Sequence, residues 1–405
     1  MLKGLLVTLS VAVVVLPAPS RAQGLPRDAY VRYELLAAQT GSFKVVSDVA
    51  IDASGAKSHV ERLLAGATAT DVSALDLMTG APLTVKSAPG SIQVELARAV
   101  PAGGEARLRI ARTEKDASAY RRDGDAIVFT RTLAAKRGSV TLPAGYEVTA
   151  ASVPVQILEL ADGRITASFM NPYPVETPLT IRGRALKTRM PSPAPASQAE
   201  PATAPPIADA PPREQPMYQI RVTERATQDR EIVYFLKEPE THAFALYHDY
   251  TAAREGERQY VNVVRAGSSV SEPSAKVLDT GESLQTRTLT GADIAREKID
   301  IPDRVDPDTQ VVLIAFPPVK KGTSLRLRIS ETYTDPARYA LIDGQLMWHR
   351  SFGRPRNDMV LPASWYLTTS SIPAVISQEP DGRIRLSFWN PRPDSIDVVV
   401  RGRRR

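Results

Sequence analysis

The stretch RLRIARTEKDASAY, residues 107–120, returns as RLRISETYTDPARY at residues 326–339. In the first, Leu108 and Ile110 alternate with Arg107 and Arg109; in the second, Leu325, Leu327 and Ile329 alternate with Arg326 and Arg328. A period of two places the apolar residues on one face and the arginines on the other, the pattern of a half-buried strand. The match extends without a gap from 107–184 onto 326–403 at an offset of 219, with 28 of 78 positions identical. Leu142-Pro143-Ala144 meets Leu361-Pro362-Ala363, Asp162-Gly163-Arg164-Ile165 meets Asp381-Gly382-Arg383-Ile384, Asn171-Pro172 meets Asn390-Pro391, and Arg182-Gly183-Arg184 meets Arg401-Gly402-Arg403. Upstream the offset is 201: Ala65-Gly66 meets Ala266-Gly267, Leu77 meets Leu278 and Thr79-Gly80 meets Thr280-Gly281. The chain is therefore an internal duplication whose second copy carries 18 extra residues, in an insertion near 282–325.

Both copies punctuate their extended runs with turn residues. Asp162-Gly163 and Asp381-Gly382 each separate two apolar runs, and Asp123-Gly124 and Asp343-Gly344 mark a second hairpin, one residue out of register between the copies. Asp-Gly between strands predicts a type I′ turn, in which both central residues take positive φ. Recurrent proline excludes long helices, and one short helix is expected at 291–298, inside the insertion. Between the copies, residues 191–216 hold nine prolines among alanine, serine and acids, a composition that stays extended and buries little. The expected fold is all-β: two tandem antiparallel β-sandwich domains, 23–187 and 217–405, joined by a Pro/Ala-rich linker at 188–216.

The 405 residues are 43% apolar and 24% charged, ordinary for globular protein, and contain no cysteine and four histidines. That excludes disulfides, thiol nucleophiles, Cys-ligated metals and a cysteine-linked lipid anchor. Lys3, the apolar run Leu5–Leu16 and Ser20-Arg21-Ala22 read as a signal peptide over 1–22, cleaved near Ala22. The run is too short to span a bilayer, so a periplasmic or secreted location without a membrane span is expected. Cleavage takes the net charge from +6 to +4, far from a nucleic-acid footprint.

Candidate site residues are few. Thr113, Asp116 and Tyr120 recur as Thr332, Asp335 and Tyr339, the pattern of a turn-capping aspartate followed by a sandwich-edge tyrosine. His242 and His248 are six apart, about 20 Å along a strand and too far for one metal; His59 and His349 stand alone. No catalytic, cofactor or metal motif is present. Arginines cluster instead: Arg350, Arg354, Arg356, Arg383, Arg385, Arg392 and the tail 401–405 in the second copy, with Arg131, Lys136, Arg137, Arg164, Arg182 and Arg184 in the first. The first six are candidate contacts for an anionic polymer or an envelope protein partner. Trp348, Trp365 and Trp389 match Phe129, Tyr146 and Met170, as core positions do; Trp365 and Trp389 are also candidates for stacking on a sugar.

The run from Arg326 to Arg403 resembles a family of uncharacterised secreted β-rich proteins of environmental bacteria. It shares Thr334-Asp335-Pro336, Tyr339, Asp343-Gly344, Arg350, Leu361-Pro362-Ala363, Asp381-Gly382-Arg383-Ile384 and Asn390-Pro391 with that family. More distantly, each half is similar in strand rhythm to the β-sandwich N-terminal domain of M1-type aminopeptidases. Their catalytic domain, with its zinc helix, has no counterpart here, so the resemblance implies a fold and carries no activity. The expected function is a secreted or periplasmic, non-catalytic interaction or scaffold protein of the cell envelope. Two alternatives stay open: a hydrolase with its site in the second domain, and a binder of anionic envelope polymer through the arginine-rich faces.

Overall fold

The computed structural model describes residues 29–64, 66–133, 135–171, 176–186, 231–264, 266–301, 305–392 and 394–405. The expected signal peptide 1–22 and the linker 188–216 lie outside them. The first half has β1 (Tyr30–Leu35), β2 (Ser42–Ile51), β3 (Ser58–Arg62), β4 (Thr68–Asp76), β5 (Val85–Ala88), β6 (Ser91–Glu95), β7 (Ala106–Lys115), β8 (Tyr120–Asp123), β9 (Ala126–Leu133), β10 (Arg137–Thr141), β11 (Tyr146–Glu159), β12 (Ile165–Met170) and β13 (Thr177–Ala185). The second has β14 (Glu231–Leu236), β15 (Ala243–Ala252), β16 (Gln259–Val263), β17 (Ser269–Val277), β18 (Ser283–Thr290), α1 (Gly291–Glu297), β19 (Gln310–Ala315), β20 (Leu325–Thr334), β21 (Tyr339–Ile342), β22 (Gln345–Phe352), β23 (Arg356–Val360), β24 (Trp365–Ser370), β25 (Ala374–Gln378), β26 (Ile384–Trp389) and β27 (Ile396–Arg404).

The all-β expectation holds, with one correction to its antiparallel description. β1 pairs with β10 in parallel, and β14 pairs with β23 in parallel at the equivalent place. Each first strand thus enters between an adjacent hairpin partner and a strand from the far end of its own half. The Asp-Gly turns also differ from expectation. Only Asp343-Gly344 has positive φ at both residues, 50° and 74°, closing the two-residue turn of β21 and β22. In the first copy the turn residues are Gly124-Asp125, with positive φ at Gly124 alone, so the two hairpins are in register after all. At Asp162-Gly163 and Asp381-Gly382 the glycine alone is left-handed; Gly163 N–H donates to Leu160 C=O and Leu160 N–H to Arg164 C=O. That is a three-residue loop ending in a left-handed glycine, so the aspartate never needs the costly conformation. The helix α1 lies where expected and ends at Lys298 in the left-handed region. It occupies the insertion, replacing the two-residue turn at 89–90, and buries Ile294 against Leu289 and Val311.

Each half is centred on the same aromatic triad. Tyr33, Phe43 and Phe129 have ring centroids 5.0–6.2 Å apart, and of their equivalents Tyr234 meets Phe244 at 6.0 Å and Trp348 at 5.3 Å. Trp348 and Trp365 are core residues, whereas Trp389 is 51% exposed at the end of β26. Tyr120 and Tyr339 donate their hydroxyls to Leu36 C=O and Lys237 C=O, tying each edge hairpin to the first strand of its half.

The halves share one buried core and one sheet. β11 pairs antiparallel with β25 through Val155↔Ala374 and Ala151↔Ile376. Val155 and Ala374 are equivalent positions at the 219 offset. The bond from Ile157 N–H to Ser370 Oγ, 3.0 Å, joins the residues equivalent to Ile376 and Ala151. The contact is therefore a pseudo-twofold axis through Val155 and Ala374, the self-complementary geometry of a homodimer contained in one chain. Arg403 pairs with Glu159 at 2.8 Å, and Arg405 and Arg184 both pair with the fully buried Glu147 at 2.8 and 2.9 Å. Part of the arginine tail is thus spent on holding the halves together. Among the described residues no helix is long and apolar enough to cross a membrane.

Candidate functional site

The inward alternation of β7 continues from Leu108 and Ile110 to Arg112 and Glu114, and that of β9 from Ile127 and Phe129 to Arg131. Charge is therefore driven into the core by the same period that buries the apolar residues. Ionised groups persist there only when paired. The first half supplies an alternating chain: Glu61 with Arg112 at 2.8 Å, Arg112 with Glu114 at 2.7 Å, Glu114 with Arg131, and Arg131 with Asp116 at 3.2 Å. Ser47 donates to Glu61, and the Arg131 guanidinium lies over the Phe43 ring. Asp116 also caps its turn, accepting from Ser118 N–H and Oγ–H and from Ala119 N–H, as expected.

The same location in the second half has other chemistry. By the offsets, Ser47 becomes His248, Glu61 becomes Asn262, Arg112 becomes Glu331, Glu114 becomes Tyr333 and Ala135 becomes Arg354, while Asp116 and Arg131 persist as Asp335 and Arg350. The ion chain cannot re-form from these residues. In its place is a cleft of about 170 Å³, between the inward face of β14, β15 and β20 and the strand β16. His248, Asn262, Glu331, Tyr333, Arg350 and Arg354 form its polar wall, and Ile232, Leu246 and Val263 its apolar one. Asn262 Nδ2 donates to both Glu331 oxygens, at 3.0 and 2.8 Å, and to the Tyr333 hydroxyl at 3.1 Å. Arg350 donates to Asp335 at 3.4 Å and lies over the rings of Phe244, Tyr234 and Tyr333.

Burial shifts two groups in the cleft in opposite directions. His248 is 1% exposed and accepts at Nδ1 from Arg354 Nη2 at 2.9 Å. Arginine only donates, so Nδ1 is unprotonated and the ring proton sits on Nε2. That Nε2 is buried without a hydrogen-bond partner. Burial, reinforced by the Arg354 charge, pushes the imidazole down to about 3, so it is neutral at any physiological pH. Glu331, 2% exposed, moves the other way: burial raises its carboxyl, against the lowering effect of Asn262, Tyr333 and Arg354. Among the described residues no carboxylate lies within ion-pair distance of Arg354, whose other bond, 3.5 Å, goes to the Asp249 carbonyl.

The six arginines singled out by sequence part company here. Arg350 is 6% exposed on the inward face of β22, between Trp348 and Phe352, and cannot serve on a surface. Arg354 reaches the cleft, so these two are brought together. Arg383 bonds Asp381 at 2.7 Å and covers the Phe235 ring; Arg385 bonds Asp358 at 2.6 Å and also Glu379. Arg392 is exposed but doubly bonded to Asp394, and Arg356 is exposed opposite Trp389. They do not form one basic face. His242 caps a turn at φ 54° with Nδ1 against Tyr339 C=O, remote in role from His248. Among the described residues no three acidic or histidine side chains are grouped to hold a metal ion. A hollow of about 350 Å³ in the first half includes Asp48, but Arg109 and Arg32 already hold that acid. Of the cleft's polar residues, Asn262, Glu331 and Tyr333 were missed in sequence although Glu331 breaks the apolar inward series Leu325, Leu327, Ile329 at its next step.

No protein-family model and no curated protein matches the chain. Among solved structures, an M1 zinc metallopeptidase from Deinococcus radiodurans is similar over 40% of this chain and 42% of its own, at 15% identity and TM-score 0.31. An aminopeptidase N family protein from Idiomarina loihiensis is similar over 42% of this chain and 29% of its own, at 9% identity and TM-score 0.26. The region matched is the N-terminal, non-catalytic domain of such enzymes. The chain spans less than half the length of the structures it matches.

Proposed function

We propose that the chain is a non-catalytic binding protein of the cell envelope, secreted behind residues 1–22, in which the fused halves form a scaffold and the cleft of the second half takes the ligand. The observation that carries this is the divergence at one duplicated location. In the first half buried charges are consumed by one another; in the second they are re-sorted around an empty volume, with the buried His248 Nε2 left unpartnered. A buried donor without a partner costs about 1–3 kcal/mol, a cost that a bound acceptor removes. His248 is a poor general base, because burial and Arg354 oppose its taking a proton. This favours recognition over the hydrolase reading. The polymer reading draws less support, since four of the six arginines are engaged with acids at short range.

The test uses the mature chain, residues 23–405, and its Arg354→Gln variant. Fractions of an envelope extract are screened for a rise in melting temperature. A fraction that stabilises the mature chain and not the variant supports the cleft as the site. Equal stabilisation of both moves recognition elsewhere, and turnover of any component contradicts a non-catalytic role.

A further inference from the structure

The cleft's hydrogen-bonding inventory is one-sided. His248 offers Nε2–H and has spent its acceptor on Arg354. Arg350 and Arg354 only donate, and each uses a minority of its five N–H groups in its one or two bonds. The carboxylate on the wall, Glu331, already accepts at both oxygens from Asn262. What the site lacks is an acceptor. The charge inventory points the same way. Arg350 shares Asp335 with Arg338, each at 3.4 Å, while Arg354 has no acid within ion-pair distance among the described residues. Arg354 acts on Glu331 only at longer range, lowering a carboxyl that burial raises. One unpaired guanidinium calls for one negative charge, and planar carboxylate matches its fork of donors.

Size and the opposite wall narrow the class further. The cleft, of about 170 Å³, is small for a ligand site and suits a small ligand. Ile232, Leu246 and Val263 offer nothing polar in their side chains, so part of the occupant is aliphatic. We propose that the cleft binds a short-chain aliphatic monocarboxylate, its carboxylate on Arg354 beside the His248 ring and its chain against Ile232, Leu246 and Val263. The inference rests on the cleft being the binding site and adds the chemical class of its ligand.

The experiment is calorimetric titration of the mature chain with butyrate, acetate, butyramide and butylammonium. A ligand of about six heavy atoms in such a site has an affinity on the order of millimolar. Butyrate is expected to bind saturably and more tightly than acetate, and the amide and ammonium analogues not at all. Arg354→Gln is expected to weaken butyrate about tenfold or more. Arg392→Gln, on an exposed arginine away from the cleft, is expected to leave it unchanged. Should Arg354→Gln fail to fold, the analogue series on the unmodified chain still decides. Absence of saturation up to on the order of 100 mM butyrate, or equal binding of butyramide, overturns the ligand class. If butyrate fails while an extract fraction still stabilises the mature chain in an Arg354-dependent way, the class is wrong and the site stands. If both fail, the site falls with it.

Discussion

Replacing Glu114 by glutamine separates a structural use of buried charge from a functional one. Glu114 is 1% exposed and lies between Arg112 and Arg131, whose side chains are nearly as buried. Glutamine keeps the shape and one acceptor oxygen, but it turns an amide NH₂ toward the other guanidinium, donor against donor. Each arginine keeps one acid, Glu61 or Asp116, so the chain is cut in the middle and each guanidinium loses its more buried partner. Removing one partner of a buried ion pair costs about 3–5 kcal/mol, and this position serves two pairs. Because each arginine keeps one acid, the expected loss lies at the lower end, about 3 kcal/mol. It is read from urea unfolding as a lower midpoint at unchanged slope. Arg354→Gln at the equivalent location of the second half is expected to cost only about 1 kcal/mol, because that side chain is half-buried and has no acid to orphan. A loss below about 1 kcal/mol for Glu114→Gln, or equal losses for the two variants, would refute the reasoning.

Stability should fall on the acid side of neutrality. The folded imidazole of His248 titrates near 3 and the unfolded one near 6.5, so across that window the unfolded chain binds a proton that the folded chain refuses. The contribution is complete above pH 6.5 and drains away as pH falls toward 3, by up to about 1.4 kcal/mol per unit. Glu331, with its raised carboxyl, acts in the opposite sense: its contribution is present at low pH and is lost as pH rises through its folded value. Melting temperatures of the mature chain and of His248→Leu at a series of pH values check this; an acid-side loss as steep in the variant contradicts it. Proteolytic cleavage within 191–216 should leave the two fragments co-eluting on gel filtration. The β11–β25 pairing and the bonds from Arg403 to Glu159 and from Arg405 to Glu147 do not depend on the linker. Separate elution would contradict the shared core.

Strand periodicity made the fold readable. Period two, the Asp-Gly and Pro punctuation and the constant offsets were enough for an all-β duplicated chain, the helix at 291–297 and the cores around Trp348 and Trp365. The parallel pairings of β1 and β14 were not readable, because no local pattern distinguishes a strand's second neighbour. Nor was the junction of the halves, whose main-chain pairing at Val155 and Ala374 requires no special side chain. Part of the cleft lies on the same alternation. The alternation traced through Leu108 and Ile110 leads in two further steps to Arg112 and Glu114, and in the second copy to Glu331 and Tyr333. Counting arginines along the chain put Arg350 on a surface; its parity with Leu346, Trp348 and Phe352 puts it in the core. Arg354 was a candidate, but its place in the cleft was not readable, because it lies in a loop whose position depends on how β22 and β23 are connected in space.

If a location closed by ion pairs in one half is a carboxylate-binding cleft in the other, the His248 ring reports on it directly. The chain has only four histidines, so long-range ¹H–¹⁵N spectra of the imidazoles resolve each of them. At neutral pH the account predicts His248 neutral with its proton on Nε2. Adding butyrate should shift that nitrogen saturably while His59, His242 and His349 stay in place. A protonated His248, a proton on Nδ1, or a ring unmoved by butyrate would contradict the account.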